Sequence, residues 1–219
     1  MNDKELRKFR LAFIFFWIGQ ICILISLLSF DGRFKFLPFI ITMLGLFNPV
    51  GYVMSLVGLF LLRNQNKQFY LSLVTFGFFV SVGLLKTVCE TSTDEFYINW
   101  AKGLDWSIEI LKCILYTYFL LGCRQYFKEN GLLRIEKRTR VTMIVFIALI
   151  VLERLSVFLL YFDPIRANIM LNRVLTFGEL FINIAAYAFL VGMLTNLFIA
   201  ICKRRKELLA NGTEQQEAK

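Results

Sequence analysis

The chain has 219 residues, of which 58% are hydrophobic and 16% aromatic, and its formal net charge is +9. A soluble domain is usually about 45–50% apolar, so this excess, arranged in long uninterrupted runs, predicts a polytopic membrane protein. The sequence contains no histidine, which excludes His-ligated haem, the common zinc-hydrolase ligand sets and a Ser-His-Asp triad. The basic residues border the apolar runs, so nucleic-acid binding is not expected.

Six apolar runs follow one another along the chain, each long enough to cross the ~30 Å hydrocarbon core of a bilayer as a helix. The predicted spans are residues 11–30, 36–62, 69–88, 103–123, 141–162 and 174–202. They predict an all-α integral membrane protein in which residues 1–202 form one bundle of six transmembrane helices. The polar segment 203–219 is predicted to be a cytoplasmic tail that is disordered beyond a turn or two of helix.

Proline and small residues in spans 2 and 3 predict local structure. Asn48-Pro49 lies inside the long span 2, which predicts a kinked or tilted helix, with a re-entrant hairpin as the alternative. Gly51-x-x-x-Ser55 in span 2 and the glycines Gly77 and Gly83 in span 3 are small residues that let a second helix approach closely. After span 3, residues 90–102 predict an acidic loop with aromatic anchors at the membrane interface.

The distribution of lysine and arginine predicts the orientation of the chain. Each of the three segments predicted to face outward holds two of them, whereas the loop between spans 4 and 5 alone holds six: Arg124, Lys128, Arg134, Lys137, Arg138 and Arg140. The segments before span 1 and after span 6 are also basic. Both termini are therefore predicted to be cytoplasmic, and the cell membrane is the expected location.

Five cysteines are scattered over different runs without a C-x-x-C motif. This spacing favours thiols that pack between helices over a disulfide framework or a metal site. No cofactor, metal or catalytic residue is expected.

Spans 4, 5 and 6 carry polar and ionisable residues well inside apolar runs. A charge in the bilayer core costs at least about 2.5–3.5 kcal/mol, so each charge requires a partner, water or a neutralising proton. At 1.5 Å per residue, six of these residues lie at similar depths, about 8–13 Å from the predicted outer ends of their spans. They are predicted to form one intramembrane polar cluster: Glu109, Lys112, Glu153, Arg154, Glu179 and Asn183.

Pairing within this cluster can be predicted from helix geometry. Adjacent residues point about 100° apart, so Glu153 is predicted to pair with Lys112, and Arg154 with Glu109 or Glu179. The cluster holds three acids and two bases, which leaves one carboxylate for a proton, water or a cation. Two interpretations stay open: a structural network that holds helices in register, and a cavity that binds a solute or ion.

The sequence favours a small, non-catalytic membrane protein that binds or transports a small polar or charged solute through this cluster. The alternative is a non-catalytic interaction or sensory subunit, in which the basic loop between spans 4 and 5 and the tail dock a cytoplasmic partner. A membrane-embedded enzyme has the least support, because no nucleophile–base spacing is recognisable. The expected partners are the lipid bilayer, a small polar solute or cation, and a cytoplasmic or membrane protein.

Overall fold

The structure is a computed structural model that describes the backbone of residues 3–29, 47–160 and 169–217, with some side chains in these ranges left out. These residues form helices and short connections, and none of them lies in a strand. The helices are α1 (Asp3–Ser29), α2 (Phe47–Leu62), α3 (Lys67–Glu90), α4 (Glu95–Glu129), α5 (Leu133–Leu160) and α6 (Ile169–Glu217). The all-α prediction is confirmed.

Four of the described helical segments are long and apolar enough to cross a membrane: Leu6–Ser26, Lys67–Glu90, Glu95–Glu129 and Arg173–Lys203. They contain most or all of the predicted spans 1, 3, 4 and 6. Such helices indicate a membrane-embedded protein.

The predicted spans 2 and 5 are described only in part. Helix α2 is a shorter apolar helix, and Pro49 lies in its first turn, where the missing N–H of proline breaks no intrahelical bond. The first part of span 2 and the last two residues of span 5 lie outside the described residues. The predicted kink and the hairpin alternative therefore stay predictions.

Contacts within the chain divide it into two compact units. The first unit comprises Met1–Leu61 and Ile144–Lys219, and the second comprises Leu62–Met143. Each unit has its own buried helix contacts, and the single bundle predicted for residues 1–202 stays a prediction.

In the first unit, small residues bring α1 and α2 close together. A Cβ atom added at Gly51 would lie 2.8 Å from the carbonyl oxygen of Gly19, and one added at Gly58 would lie 2.6 Å from the amide nitrogen of Phe16. The buried Gln20 amide donates a hydrogen bond of 2.9 Å to Ser55 Oγ across the same contact. The close approach predicted from Gly51-x-x-x-Ser55 is confirmed.

Helix α1 also packs against α6 in this unit. Trp17 Nε1 donates a hydrogen bond of 3.0 Å to Thr195 Oγ1, and its ring stacks on Phe198 with the ring centroids 5.6 Å apart. The Thr195 hydroxyl in turn donates to the Val191 carbonyl within α6. The indole N–H of Trp17 therefore has a hydrogen-bond acceptor within the helix packing.

In the second unit, α3 and α4 form an antiparallel hairpin with a packed seam. Ser72 Oγ donates to the Leu115 carbonyl at 3.2 Å, and Asn66 Nδ2 donates to the Gly122 carbonyl at 3.0 Å. Between these bonds the rings of Phe69 and Phe119 meet edge to face, with centroids 5.8 Å apart. These contacts fix the register of the two helices.

Helix α4 begins earlier than the sequence suggested. The Asp94 carboxylate accepts a hydrogen bond of 2.9 Å from the Phe96 amide and caps the helix, so α4 starts at Glu95. The acidic loop predicted over residues 90–102 is therefore wrong, and residues 91–94 form the connection. The aromatic side chains expected at the interface, Tyr97 and Trp100, are exposed on the first turns of α4.

The close packing predicted at Gly77 and Gly83 is also wrong. A Cβ atom added at either glycine would meet no described atom within 4 Å. The packed seam of α3 includes Phe69, Ser72 and Phe76, and neither glycine meets another helix at this distance among the described residues.

The polar segment after span 6 is helical over most of its length. Helix α6 continues to Glu217, which is longer than the turn or two predicted. Residues 203–210 are mostly Lys, Arg, Glu, Leu and Ala, which have high helix propensity, so the helix extends beyond the apolar run. Beyond Lys203 the side chains are outside the described residues.

Near the α4–α5 connection, Arg124 in the last turns of α4 pairs with Glu136 at the start of α5. Arg124 Nε donates a hydrogen bond to Glu136 Oε1 across the turn that contains Gly131, whose φ is 71°. This hydrogen bond is the main cause of the lowered pKa of the Glu136 carboxyl. The positive charges of Arg140 and Lys128 lower this pKa further.

This pair predicts an acid-dependent contribution to stability. Because the folded protein lowers the pKa of Glu136, the charged carboxylate stabilises the fold at pH values above its ordinary pKa, and this contribution disappears as the pH falls through the lower folded value. We expect Glu136→Gln to lower the thermal midpoint at pH 7 and to have a shrinking effect below about pH 4. A difference between the two proteins that stayed constant from pH 7 to pH 3 would contradict this role.

Candidate functional site

A lysine occupies the buried face of α4. Most buried side chains on this helix recur at helical spacing and form one stripe: Ala101, Lys112, Leu115, Tyr116, Phe119, Leu120, Cys123, Tyr126 and Phe127. Lys112 is 5% exposed and is the one charged residue of the stripe among the described side chains. The register of the hairpin places it level with Thr75 and Phe76, which are buried on α3.

The charge of Lys112 is compensated within its own helix. Lys112 Nζ lies 2.9 Å from Glu109 Oε2, one turn earlier, and the two side chains are 6% and 15% exposed. At this distance the ion pair is also a direct hydrogen bond, which Lys112 donates to Glu109. The pair presents one ammonium donor and one carboxylate acceptor side by side among apolar side chains.

The sequence prediction paired these residues differently. It assigned Glu153 to Lys112, and Arg154 to Glu109 or Glu179, whereas the structure shows an intrahelical contact between Glu109 and Lys112. The spacing of three residues was the signal that could have revealed this contact. Glu153 and Arg154 belong to α5 and Glu179 to α6, but their side chains lie outside the described residues. Their predicted pairings stay predictions.

Asn183, the sixth predicted residue, lies on α6 in the first unit. Its Oδ1 atom is buried and has no hydrogen-bond partner among the described residues. A buried acceptor without a donor costs about 1–3 kcal/mol, so it favours a donor from water, a ligand or an undescribed side chain. Gln68 Oε1 on α3 has the same property, so an unsatisfied amide is not specific to the predicted cluster.

Three further charged residues continue the polar face of the hairpin, and sequence reasoning did not include them in the cluster. Lys86 on α3 contacts Asp105 on α4 at 2.6 Å and Glu90 at 3.3 Å. Asp105 lies one turn before Glu109 on the same face of α4. The sequence signal was the i,i+4 spacing of Lys86 and Glu90 at the end of span 3. We call these five residues the charge ladder: Glu90, Lys86, Asp105, Glu109 and Lys112.

The chemistry available at this site is recognition by charge and hydrogen bonds. An ammonium group can bind an anionic or carbonyl oxygen, and a carboxylate can bind a cation or an N–H donor. Among the described residues there is no group of three or more His, Cys, Asp or Glu side chains arranged to hold a metal ion.

No protein-family model, curated protein or solved structure matches this chain. The side chains themselves are therefore the basis for inferring function.

Proposed function

We propose that this chain is an integral protein of the cell membrane that binds or transports a small polar or charged solute, with Lys112 and Glu109 as binding groups. In this proposal the chain crosses the membrane six times, with both termini cytoplasmic, as its Lys and Arg distribution predicts. The observation that carries it is the burial of an ammonium and a carboxylate within a helix that is apolar and long enough to span a bilayer.

Energetics favour a functional role for this pair over a purely structural one. An i,i+3 ion pair stabilises a helix by only about 0.2–0.5 kcal/mol, whereas one charge in the bilayer core costs at least about 2.5–3.5 kcal/mol. An intrahelical pair also does not by itself hold two helices together. Ionisable residues retained in a membrane span under these conditions usually mark the path of a substrate or ion.

The remaining predicted residues extend this proposal. Glu153, Arg154, Glu179 and Asn183 lie at depths similar to Lys112 when measured along their predicted spans. We propose that they contribute to solute binding, and each can be neutralised separately. Loss of solute binding in Glu153→Gln or Glu179→Gln, in a protein that still folds, would support their inclusion.

Thermal unfolding of the purified protein with a panel of small polar solutes tests the proposal. A solute that binds the native state at 100 times its Kd stabilises it by about 2.7 kcal/mol, which shifts the melting temperature measurably. We expect one chemical class to stabilise the wild type and to lose this effect in Glu109→Gln/Lys112→Met. The control Arg124→Gln/Glu136→Gln neutralises an ion pair near the α4–α5 connection and should retain the shift. Equal shifts in the wild type and in Glu109→Gln/Lys112→Met would contradict the proposal.

A second candidate function rests on the cytoplasmic side of the proposed topology. The basic side chains around the α4–α5 connection are exposed, among them Lys128, Lys137, Arg138 and Arg140. They suit contact with an acidic protein partner or with anionic headgroups. If the chain is an interaction or sensory subunit, glutamine at these four positions should abolish capture of the partner, whereas Glu109→Gln/Lys112→Met should leave it intact.

A further inference from the structure

The two ends of α4 lie in segments of opposite charge. Residues 86–105, around the α3–α4 connection, hold four acidic and two basic side chains. Residues 124–140, around the α4–α5 connection, hold six basic and two acidic side chains, which gives this segment a net charge of +4. An anionic partner is therefore expected at the α4–α5 end and not at the other.

The start of α3 lies at this basic end as well. Asn66 Nδ2 donates to the Gly122 carbonyl of α4, and Arg124, two residues further along α4, donates to Glu136 of α5. Two residues correspond to about 3 Å of helix, so the first turns of α3 and α5 meet α4 at nearly the same level. We call the exposed basic side chains around this level the basic collar: Lys67, Lys128, Lys137, Arg138 and Arg140.

Few carboxylates are available to compensate the basic collar. Glu136 already accepts a hydrogen bond from Arg124, and the charges of Lys128 and Arg140 also act on it, so three cations share one carboxylate. Residues 124–140 contain one other carboxylate, that of Glu129. The collar therefore keeps an excess of positive charge that an external anion can compensate.

Two residues of the collar lie on the same helix faces as exposed apolar side chains. On α3, Lys67 lies within about 60° of Tyr70 and Val74, which are 53% and 39% exposed. On α5, Lys137 lies about 40° from Val141, which is 60% exposed. In a membrane such apolar side chains face the lipid tails, so a basic residue one turn further out on the same face lies at the level of the headgroups. This position favours a lipid over a soluble protein as the partner.

The opposite faces of the same two helices are packed within the protein. Phe69 is 0% exposed and lies about 160° around α3 from Lys67, and Thr139 is 0% exposed and lies about 160° around α5 from Lys137. The rotation of each helix therefore directs Lys67 and Lys137 away from the packed side.

We propose that the basic collar binds the phosphate groups of anionic phospholipids whose acyl chains lie along the exposed apolar faces of α3 and α5. Lysine and arginine donate charge-assisted hydrogen bonds to phosphate oxygens. In the proposed topology the collar faces the cytoplasmic leaflet, which carries the anionic lipids. Lipid binding at the collar does not depend on solute binding at Lys112 and Glu109, and either can fail alone.

Native mass spectrometry of the full chain in detergent, titrated with phosphatidylglycerol or with phosphatidylcholine of the same acyl chains, tests the proposal. We expect the wild type to bind phosphatidylglycerol about tenfold more tightly or better, and Lys67→Gln/Lys137→Gln/Arg140→Gln to lose this preference. If the triple variant does not fold, Lys137→Gln alone should lower the preference about twofold or more. Inorganic phosphate at the concentration of the lipid should not displace it, because phosphate has no acyl chains to contact the apolar faces.

The matched control removes three positive charges from the start of α1. Arg7→Gln/Lys8→Gln/Arg10→Gln should keep the preference for phosphatidylglycerol, and this result with a loss in the collar variant supports the proposal. An equal loss in both triple variants overturns it, because the preference would then follow net charge alone. Equal binding of both lipids by the wild type overturns it too, whether or not an acidic protein copurifies. Complete displacement by inorganic phosphate also overturns it, because the collar would then bind a soluble anion.

Discussion

Replacing Lys112 by methionine is expected to destabilise the protein by about 3–5 kcal/mol, because it removes one partner of a buried ion pair and leaves the other charge buried. The remaining charge is that of Glu109, whose side chain is only 15% exposed. The paired variant Glu109→Gln/Lys112→Met removes both charges at similar volume, and we expect it to recover most of this loss. Denaturant unfolding of the purified variants in detergent measures both effects.

A second lysine of the same helix hairpin provides the matched control. Lys86 also forms ion pairs, but its partners Asp105 and Glu90 are about half exposed, so we expect Lys86→Met to cost about 0–1 kcal/mol. If Lys112→Met and Lys86→Met had equal effects, or if the paired variant were no more stable than Lys112→Met, the buried pair would not have the energetics inferred here.

The second large loss of stability is expected for Gly58→Ala, at the contact between α1 and α2. The new Cβ atom would lie 2.6 Å from the Phe16 amide nitrogen and 2.8 Å from the Ala12 carbonyl oxygen. Both are backbone atoms, so the helices must separate, and we expect a loss of about 1–3 kcal/mol. Thermal unfolding of the purified variant would measure it.

Gly77→Ala is the matched control for this substitution. Gly77 is also helical, but its Cβ would meet no described atom within 4 Å. Alanine should therefore stabilise the protein there by about 0.5–1 kcal/mol through higher helix propensity. A stabilising effect of Gly58→Ala as well would show that α1 and α2 are not in close contact.

The helical architecture and one close helix contact could be predicted from the sequence because both depend on local patterns. The apolar run of span 3 predicted both ends of α3 to within two residues, whereas α4 and α6 extend well beyond their apolar runs. The Gly51-x-x-x-Ser55 spacing correctly indicated a close contact, although the partner, Gly19 on α1, was not identified. Gly77 and Gly83 show the limit of this inference, since a small residue permits a close approach but does not supply a helix to make it.

A single side chain, that of Asp94, determines where α4 starts. Acidic and aromatic residues between spans 3 and 4 resembled a loop by composition, but Asp94 caps the helix and the aromatic residues then continue it. A capping residue identifies a helix start only when the following residues are already suspected to be helical.

The candidate site could be predicted as a set of residues but not as a set of contacts. Depth along a span identified Lys112 and Glu109 as buried charges, because depth depends only on helix rise. Their partners depend on side-chain rotamers and on helix rotation, which the sequence does not encode locally. The pair formed within α4, and the ladder through Lys86 and Asp105 followed from the register of the hairpin.

Native mass spectrometry of the protein purified in mild detergent tests whether Lys112 and Glu109 bind a solute. We expect wild-type protein to retain a small polar or charged molecule and Glu109→Gln/Lys112→Met, folded to the same extent, to release it. Retention of the same molecule by both proteins would contradict solute binding at Lys112 and Glu109. An empty wild-type protein that copurifies with a stoichiometric protein partner would contradict it as well and would favour the interaction subunit.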